Sequence, residues 1–201
     1  MAVAARKKAV GKERRPRGER VAHILGESLK CFAESGYERV TYDDLIARSK
    51  VSRGSFYWYF PSKEALYDAV LDFCVSGYVA RLEAEFAKSS ARDHVVKRLL
   101  EACLADFNTN RTQYRVLLRP PPSVEAVRKL TKWNEDVATW MREKLEPLVA
   151  DGKLDRETAG VIPDVLSAFI DGICVRLVLE DERSVSRLSK NIETFLCRIV
   201  E

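Results

Sequence analysis

The twenty residues TYDDLIARSKVSRGSFYWYF, from Thr41 to Phe60, constrain the fold more than any other part of the chain. The Thr41 hydroxyl can accept the free amides of a helix start, and Asp44 occupies the acidic position of a capping box. The apolar spacing that follows predicts a helix from Thr41 to Ser49. Ser52 offers a second N-cap after a two-residue break. The stretch is therefore predicted to form a helix-turn-helix, whose second helix fits a DNA major groove.

The second helix of this unit carries five successive aromatic residues, which cannot all face one core on so short a helix. Phe56 and Phe60, at a spacing of four, are predicted to be buried. Tyr57, Trp58 and Tyr59 then project around the other side, where a phenol or an indole N–H needs a polar partner. Phosphate oxygens and base edges are such partners.

The first turn of the same helix reads Arg53, Gly54, Ser55. It combines one long cation with two residues of little bulk. Free amides and positive charge at a helix start favour an anion-rich surface. The alternative is that the two helices are ordinary surface helices that do not bind DNA.

Between about Val21 and Val70 the chain resembles the DNA-binding region of the TetR family of bacterial transcriptional regulators. The resemblance is carried by ILGESLKCFAESGYERV, by KVSRGSFYWYF and by PSKEALYDAV, in this order and spacing. It implies that the matching residues contact the major groove at Arg53, Gly54, Ser55, Tyr57 and Trp58. It implies phosphate contacts at Thr41, Tyr59 and Lys63, and we add Lys50 in the turn to the predicted DNA contacts. Tyr59 stands where the family often has histidine, but its hydroxyl still reaches a phosphate.

Positive charge is concentrated at the N-terminus. The net charge is +4, yet the first twenty residues alone carry +6 and the remainder carries −2. Residues 1–18 are predicted to be a disordered basic arm that runs along phosphates or into a minor groove. A solvated tail without function is the alternative.

Composition excludes several classes of protein. The chain is 46% hydrophobic and 32% charged, as soluble globular proteins are. No apolar run approaches the roughly 20 residues of a membrane span, and no signal-peptide core follows the arm, so a cytoplasmic protein is predicted. The five cysteines lack CxxC spacing and only two histidines accompany them, so neither a metal site, a cofactor nor a disulfide scaffold is expected. The cysteines are interpreted as small buried hydrophobes, with a thiol redox sensor as the alternative.

No strand pattern occurs, and the fold class is predicted to be all-α. The resemblance implies about nine helices. A head at residues 19–66 should be followed by an effector-binding and dimerisation domain at residues 67–201. In the head, the periodicity predicts helices at 19–35, closed by a left-handed Gly36, at 41–49 and at 52–60. One continuous helix at 63–86 should connect the head to the rest of the chain. Further helices are predicted from Asp93, at 108–119, at 123–148, at 161–179 and at the C-terminus. Pro163 predicts a late start or a kink in the penultimate helix.

The last two helices are predicted to form a dimer interface. Apolar residues occupy most of the circumference between Val161 and Leu179, so this helix must be covered on more than one side. The resemblance implies that both helices pair with their copies in a C2 dimer. The expected interface residues are Val165, Phe169, Ile173, Leu177, Ile192, Phe195, Leu196 and Ile199. The alternative is that both helices complete the core of the monomer.

An effector cavity is expected between the head and these helices. By resemblance it is lined by Cys103, Phe107, Tyr114, Trp133, Trp140 and Phe169. A cavity of this composition suits a flat or elongated, apolar or aromatic small molecule. The alternative is that these aromatic residues are ordinary core.

Taken with the resemblance, these features predict a homodimeric, sequence-specific regulator. It should repress by gripping an inverted-repeat operator in double-stranded DNA and leave it when a small-molecule ligand binds. A transcriptional activator, a redox-responsive regulator and a non-specific architectural DNA binder remain alternatives. An enzyme is not expected, because no convergent set of nucleophile, base or metal ligands is present.

Overall fold

The computed structural model describes residues 16–89 and 94–179, and in addition Arg187, Asn191 and Thr194. Within the two described ranges it contains nine helices and no strand, which confirms the all-α prediction. The helices are α1 (Arg17–Ser35), α2 (Tyr42–Ser49), α3 (Arg53–Tyr59), α4 (Lys63–Val75), α5 (Tyr78–Lys88), α6 (Val95–Thr109), α7 (Arg111–Leu117), α8 (Val124–Ala150) and α9 (Arg156–Leu179).

The helix starts of the head follow the predicted caps. The Thr41 side chain accepts from the Asp44 amide while the Asp44 carboxylate accepts from the Thr41 amide, so the capping box is complete. Ser52 caps α3 by accepting from the Ser55 amide. Phe56 and Phe60 are buried, as their spacing predicts. The local signals of the motif are therefore sufficient to place both of its helices.

The turn after α1 depends on Gly36. This residue has φ 79° and ψ 159°, a region that is populated almost only by glycine. A Cβ built here would lie 2.4 Å from the Arg119 Nη1 atom. The Arg119 Nη2 atom donates to the Ala33 carbonyl at the end of α1 (3.0 Å). The missing side chain thus leaves room for an arginine from beyond α7.

The predicted continuous helix over residues 63–86 is wrong. It is two helices, α4 and α5, separated at Ser76 and at Gly77, which has φ 67°. Arg81 donates to the Ser76 carbonyl (2.9 Å) and to the Cys74 carbonyl (3.4 Å). These carbonyls lie at the end of α4, and a side chain satisfies them there in place of the next helical turn.

Two other helix starts differ from the prediction. The short helix α7 begins at Arg111 instead of residue 108, because α6 runs on to Thr109. Helix α9 begins at Arg156 and runs through Pro163, so the late start is wrong. The Asp155 carboxylate accepts from the Thr158 amide and nucleates this earlier start. The predicted start at Asp93 and the C-terminal helix lie outside the described residues.

Helix α9 also corrects the prediction about apolar runs. By length and composition, Arg156–Arg176 is apolar enough to cross a bilayer, with about a third of it buried. Core helices of soluble proteins pass the same test, so this finding alone is weak support for a span. One face of α9, including Leu166 and Ile170, is buried in the protein.

Four cysteines, Cys31, Cys74, Cys103 and Cys174, are buried and unpaired, as predicted for small hydrophobes. Burial raises the pKa of all four thiols, and for Cys74 and Cys174 it raises the pKa to about 12. The reactive species is the thiolate, so these side chains are expected to be inert at neutral pH. Cys197 lies outside the described residues.

We therefore expect the native protein to resist alkylation at these four cysteines at about pH 8, where thiolates are scarce. All five should react once the protein is denatured. Alkylation followed by peptide mass mapping measures each site separately, including Cys197. Labelling of any of the four in the native protein as fast as in denaturant would instead favour the redox-responsive alternative.

The role of Gly36 is tested by a matched pair of glycine substitutions. Gly36→Ala should lower the free energy of unfolding by about 1 to 3 kcal/mol, because alanine cannot adopt this backbone conformation without strain. Gly26→Ala, inside α1 and with open space around its Cβ position, should instead raise it by up to about 1 kcal/mol. Urea unfolding of both variants measures the two changes. Equal effects would show that the Gly36 turn carries no special constraint.

Candidate DNA-binding surface and effector region

The exposed face of α3 carries most of the residues predicted to contact DNA. Trp58 is 64% exposed and Tyr57 is 44% exposed. Arg53 and Gly54 are exposed as well, and Ser55 and Tyr59 are half-buried. The reverse face is anchored by Phe56 and Phe60. The geometry thus separates the aromatic run into a buried pair and a surface-facing set, as the sequence predicts.

Tyr42 attaches α3 to α2. Its hydroxyl donates to the Phe60 carbonyl, and its ring packs against Phe56 (5.2 Å between centroids) and Tyr57 (4.8 Å). Burial raises the pKa of Tyr42, which keeps its hydroxyl a donor. These contacts therefore hold α3 against α2.

Thr41 lies on the surface at the start of α2, where its hydroxyl donates to the Asp44 carboxylate (2.6 Å). The hydrogen bonds from the Thr41 side chain and amide lower the pKa of Asp44. Lys50 is also exposed, and it is a left-handed C-cap with φ 54°. Thr41 and Lys50 thus lie at opposite ends of α2.

The side chain of Lys63 is bonded within the head, unlike the exposed side chains of Thr41 and Lys50. Its ammonium donates to the carbonyls of Tyr37 (3.0 Å) and Val40 (3.1 Å) and lies over the Tyr37 ring at 4.1 Å. These contacts join the start of α4 to the turn before α2. In this structure the side chain is engaged within the head instead of facing outward.

Two residues outside α3 hold its exposed side chains, and sequence reasoning missed both. Asp43 in α2 accepts from Arg53 Nη2 at 2.6 Å. The guanidinium of Arg17, in the first turn of α1, lies 4.7 Å from the centroid of the Trp58 ring. Arg17 belongs to the predicted arm, of which residues 1–15 lie outside the described part. No local sequence signal pairs these residues, because each partner comes from a different helix.

A buried polar cluster occupies the region predicted to bind the effector. Asp106 is 2% exposed and accepts from Arg81 Nε (2.8 Å), Asn110 Nδ2 (2.9 Å) and the Tyr114 hydroxyl (3.2 Å). The Tyr78 and Tyr114 hydroxyls are 2.7 Å apart. Because Tyr114 donates to Asp106, Tyr78 must donate to Tyr114. Burial raises the pKa of both tyrosines, so both stay protonated.

Four of the six predicted effector residues lie together at this cluster. The Phe107 and Tyr114 rings are 5.0 Å apart, and the Trp133 ring packs on Tyr78 at 5.2 Å. Cys103 is buried on α6, one helical turn before Phe107. The Trp133 indole N–H is buried and has no hydrogen-bond partner among the described residues. It is an unused donor beside the cluster.

The other two predicted effector residues lie elsewhere. The Trp140 indole donates to Glu83 (2.8 Å) and its ring packs on Phe86, at a contact between α8 and α5. Phe169 is 38% exposed on α9. Sequence reasoning missed Tyr78, Arg81 and Asp106. The one available signal was a carboxylate on the apolar side of α6, next to Phe107.

The predicted dimer residues divide between the two faces of α9. Val165 (59% exposed) and Phe169 lie on an exposed stripe with Val161 and Val175, whereas Ile173 is buried on the opposite face. The side chains of Leu177, Ile192, Phe195, Leu196 and Ile199 lie outside the described residues. In the described ranges no group of three or more His, Cys, Asp or Glu side chains is placed to hold a metal ion.

Comparison with known proteins identifies the head. Residues 24–70 match the family model of bacterial regulatory proteins, tetR family. The uncharacterised HTH-type transcriptional regulator YuxN of Bacillus subtilis is 42% identical over 50 residues, which are 25% of this chain and 17% of YuxN. The HTH-type transcriptional regulator EthR of Mycolicibacterium smegmatis is 26% identical over 85% of this chain and 76% of its own length. YuxN and two further relatives above 30% identity are matched over only 17–46% of their own length.

The likeness in fold extends beyond the head. A crystal structure of a transcriptional regulator from Saccharomonospora viridis in complex with choline superposes with a TM-score of 0.74. It covers 92% of this chain and 98% of that one at 20% identity. Residues 24–70, which contain the capped helix-turn-helix, are therefore similar to the DNA-binding region of the TetR family of bacterial transcriptional regulators, and the rest of the chain shares a fold with the solved structures.

Proposed function

We propose that the protein is a cytoplasmic, sequence-specific DNA-binding transcriptional repressor, which acts as a homodimer and is released from an inverted-repeat operator by a small molecule. The exposed face of α3, anchored from behind by Phe56 and Phe60, carries this proposal. Exposed aromatic rings and an arginine on a rigid short helix suit the reading of base edges in a major groove.

Within this face, Arg53 is the proposed reader of a guanine. A guanidinium can donate two hydrogen bonds to guanine O6 and N7, a contact worth about 1 to 3 kcal/mol of discrimination. Thr41 and Lys50, at the two ends of α2, and Tyr59, at the end of α3, are the proposed phosphate contacts. Lys63 supports the same surface through its bonds to the Tyr37 and Val40 carbonyls. The basic residues of the N-terminal arm add sequence-independent attraction to phosphate.

Binding to a pool of random duplex DNA, followed by sequencing of the retained fraction, tests this function. An enriched inverted repeat with half-sites about one helical turn apart is expected, because a symmetric dimer presents two heads. Retention without enrichment at physiological salt would contradict it and favour the architectural alternative. The enriched operator also allows small molecules to be screened for release.

The role of Arg53 is tested on that operator with Lys50 as the contrast. Arg53→Ala should relax specificity at one symmetric position of each half-site, because a base contact is lost. Lys50→Asn, which suits the left-handed backbone there, should weaken binding to all sequences and reduce the salt slope by about 1. Fluorescence anisotropy over a panel of single-base operator variants measures both effects. Uniform weakening by Arg53→Ala would mean that Arg53 touches only phosphate.

The homodimer is supported by the exposed stripe on α9. Val161, Val165, Phe169 and Val175 are each 38–59% exposed, and Ala168 and Gly172 lie between them. Exposed apolar residues at this helical spacing typically pair with another helix. A C2 dimer would cover the same stripe on both copies.

Val165→Asp should therefore convert the dimer to monomer at micromolar concentration, because the interface would bury an unpaired carboxylate. Val124→Asp is the matched control. Val124 is 87% exposed at the first residue of α8, where an acidic side chain is favourable. Sedimentation velocity measures the assembly of both variants. A monomeric wild-type protein, or a Val165→Asp variant that stays dimeric, would contradict this interface.

The effector is proposed to bind at the cluster of Tyr78, Tyr114 and Trp133. An unused indole donor next to two hydroxyls suits an aromatic or elongated molecule that carries a hydrogen-bond acceptor. The choline complex of the Saccharomonospora viridis protein supports small-molecule binding in a similar fold. Tyr114 lies on α7, and Arg119 just beyond α7 bonds to the end of α1. An effector that displaces Tyr114 would therefore move a helix that contacts the head.

A further inference from the structure

Two acidic residues stand side by side at the start of α2, and the structure gives them different partners. Asp44 turns back to the Thr41 amide and hydroxyl and completes the capping box. Asp43 points instead toward α3, where its Oδ1 atom accepts from Arg53 Nη2 at 2.6 Å. The capping box fixes the backbone of the first turn of α2, so the carboxylate of Asp43 has a defined position relative to α3.

Fold stability does not explain the pair of Asp43 and Arg53. Both side chains are largely exposed, at 68% and 61%. Exposed ion pairs of this kind contribute at most about 1 kcal/mol, and often nothing measurable. The pair instead joins an acid to the arginine proposed to read a base.

A carboxylate at this position also costs DNA affinity. It contacts Arg53 on the surface that the proposed function turns toward DNA, and it repels phosphates. The same cost applies to operator and to random DNA. A benefit of Asp43 that outweighs this loss of affinity must therefore be larger on the operator than on random DNA.

We propose that Asp43 is a positioning residue that sets the base specificity of Arg53, an inference that rests on the proposed function. The contact engages Nη2 and leaves the rest of the guanidinium to meet a guanine edge. Arginine has a long side chain with high rotamer entropy, so a preset direction lowers the ordering cost of that base contact. Away from the operator, Asp43 competes with phosphates for the same guanidinium. Both effects raise the ratio of specific to non-specific affinity.

The test compares Asp43→Asn, Asp43→Glu and Glu38→Gln on the selected operator and on a random duplex of equal length. Asp43→Asn keeps the shape of the side chain but removes its charge. Asp43→Glu keeps the charge and can still reach Arg53. Glu38, an exposed acid of the same head, is the matched control for the loss of one negative charge.

The ratio of operator to random affinity should fall by about five- to tenfold in Asp43→Asn, within the range of a single lost base preference. The guanine position should also accept other bases. Glu38→Gln should change both affinities by the same factor and leave the ratio unchanged. Asp43→Glu should keep most of the wild-type ratio. In the Arg53→Ala background, Asp43→Asn should cause no further loss.

Two results would overturn the positioning role. The first is an Asp43→Asn variant that keeps the wild-type ratio, as Glu38→Gln does, which would make Asp43 a mere contributor to net charge. The second is an equal fall in the ratio with or without Arg53, which would show that Asp43 acts independently. A wild-type protein that binds operator and random DNA equally would instead reject the proposed function itself, and the inference with it.

Discussion

The buried carboxylate of Asp106 is the constraint on which the packing of helices α5 to α7 depends. A charge removed from water must be paired and hydrogen-bonded, or it destabilises the fold strongly. Asp106 meets this requirement with Arg81 from α5, Asn110 after α6 and Tyr114 from α7. Satisfying one carboxylate therefore fixes three successive helices relative to each other. Arg81 extends the constraint further, because its other nitrogens bind the carbonyls that end α4.

This arrangement gives the head two attachments to the rest of the chain. One is covalent, through α4, whose start Lys63 ties to the Tyr37 and Val40 carbonyls. The other is the Arg119 contact with the Ala33 carbonyl, for which Gly36 leaves space. Helix α7 lies between the two systems, with Tyr114 in the buried cluster and Arg119 just past its end. A change at the cluster thus has a short physical route to α1, besides the route along α4 that the sequence suggested.

The recognition surface is built in a comparable way, with partners outside the helix that presents it. Tyr42 fixes the backbone end of α3, Asp43 holds Arg53, and Arg17 lies over Trp58. The contacts of Asp43 and Arg17 reduce the rotational freedom of the Arg53 and Trp58 side chains, which the proposed function orders on DNA. Proposals about which bases are read therefore involve α1 and α2 as well as α3.

The sequence by itself determined what depends on neighbours along the chain. The Thr41 and Ser52 caps, the burial of Phe56 and Phe60, and the all-α class follow from interactions within a few residues, which pattern reasoning captures. The fragments that carry the family resemblance lie in the same segment, so the DNA-binding head is recognisable from the sequence alone.

Only the tertiary structure decided what depends on distant partners. Apolar spacing around Gly77 reads as one helix, and the break there involves Arg81, which is anchored by a carboxylate 25 positions away. Aromatic periodicity indicated that Tyr114, Trp133, Trp140 and Phe169 each lie on an apolar face, but not which helix that face meets. The fold gathers the first two, assigns Trp140 to Glu83 and leaves Phe169 partly exposed. Likewise, the spacing of the capping box assigns Asp44 to the cap, but only the approach of α3 makes Asp43 the partner of Arg53.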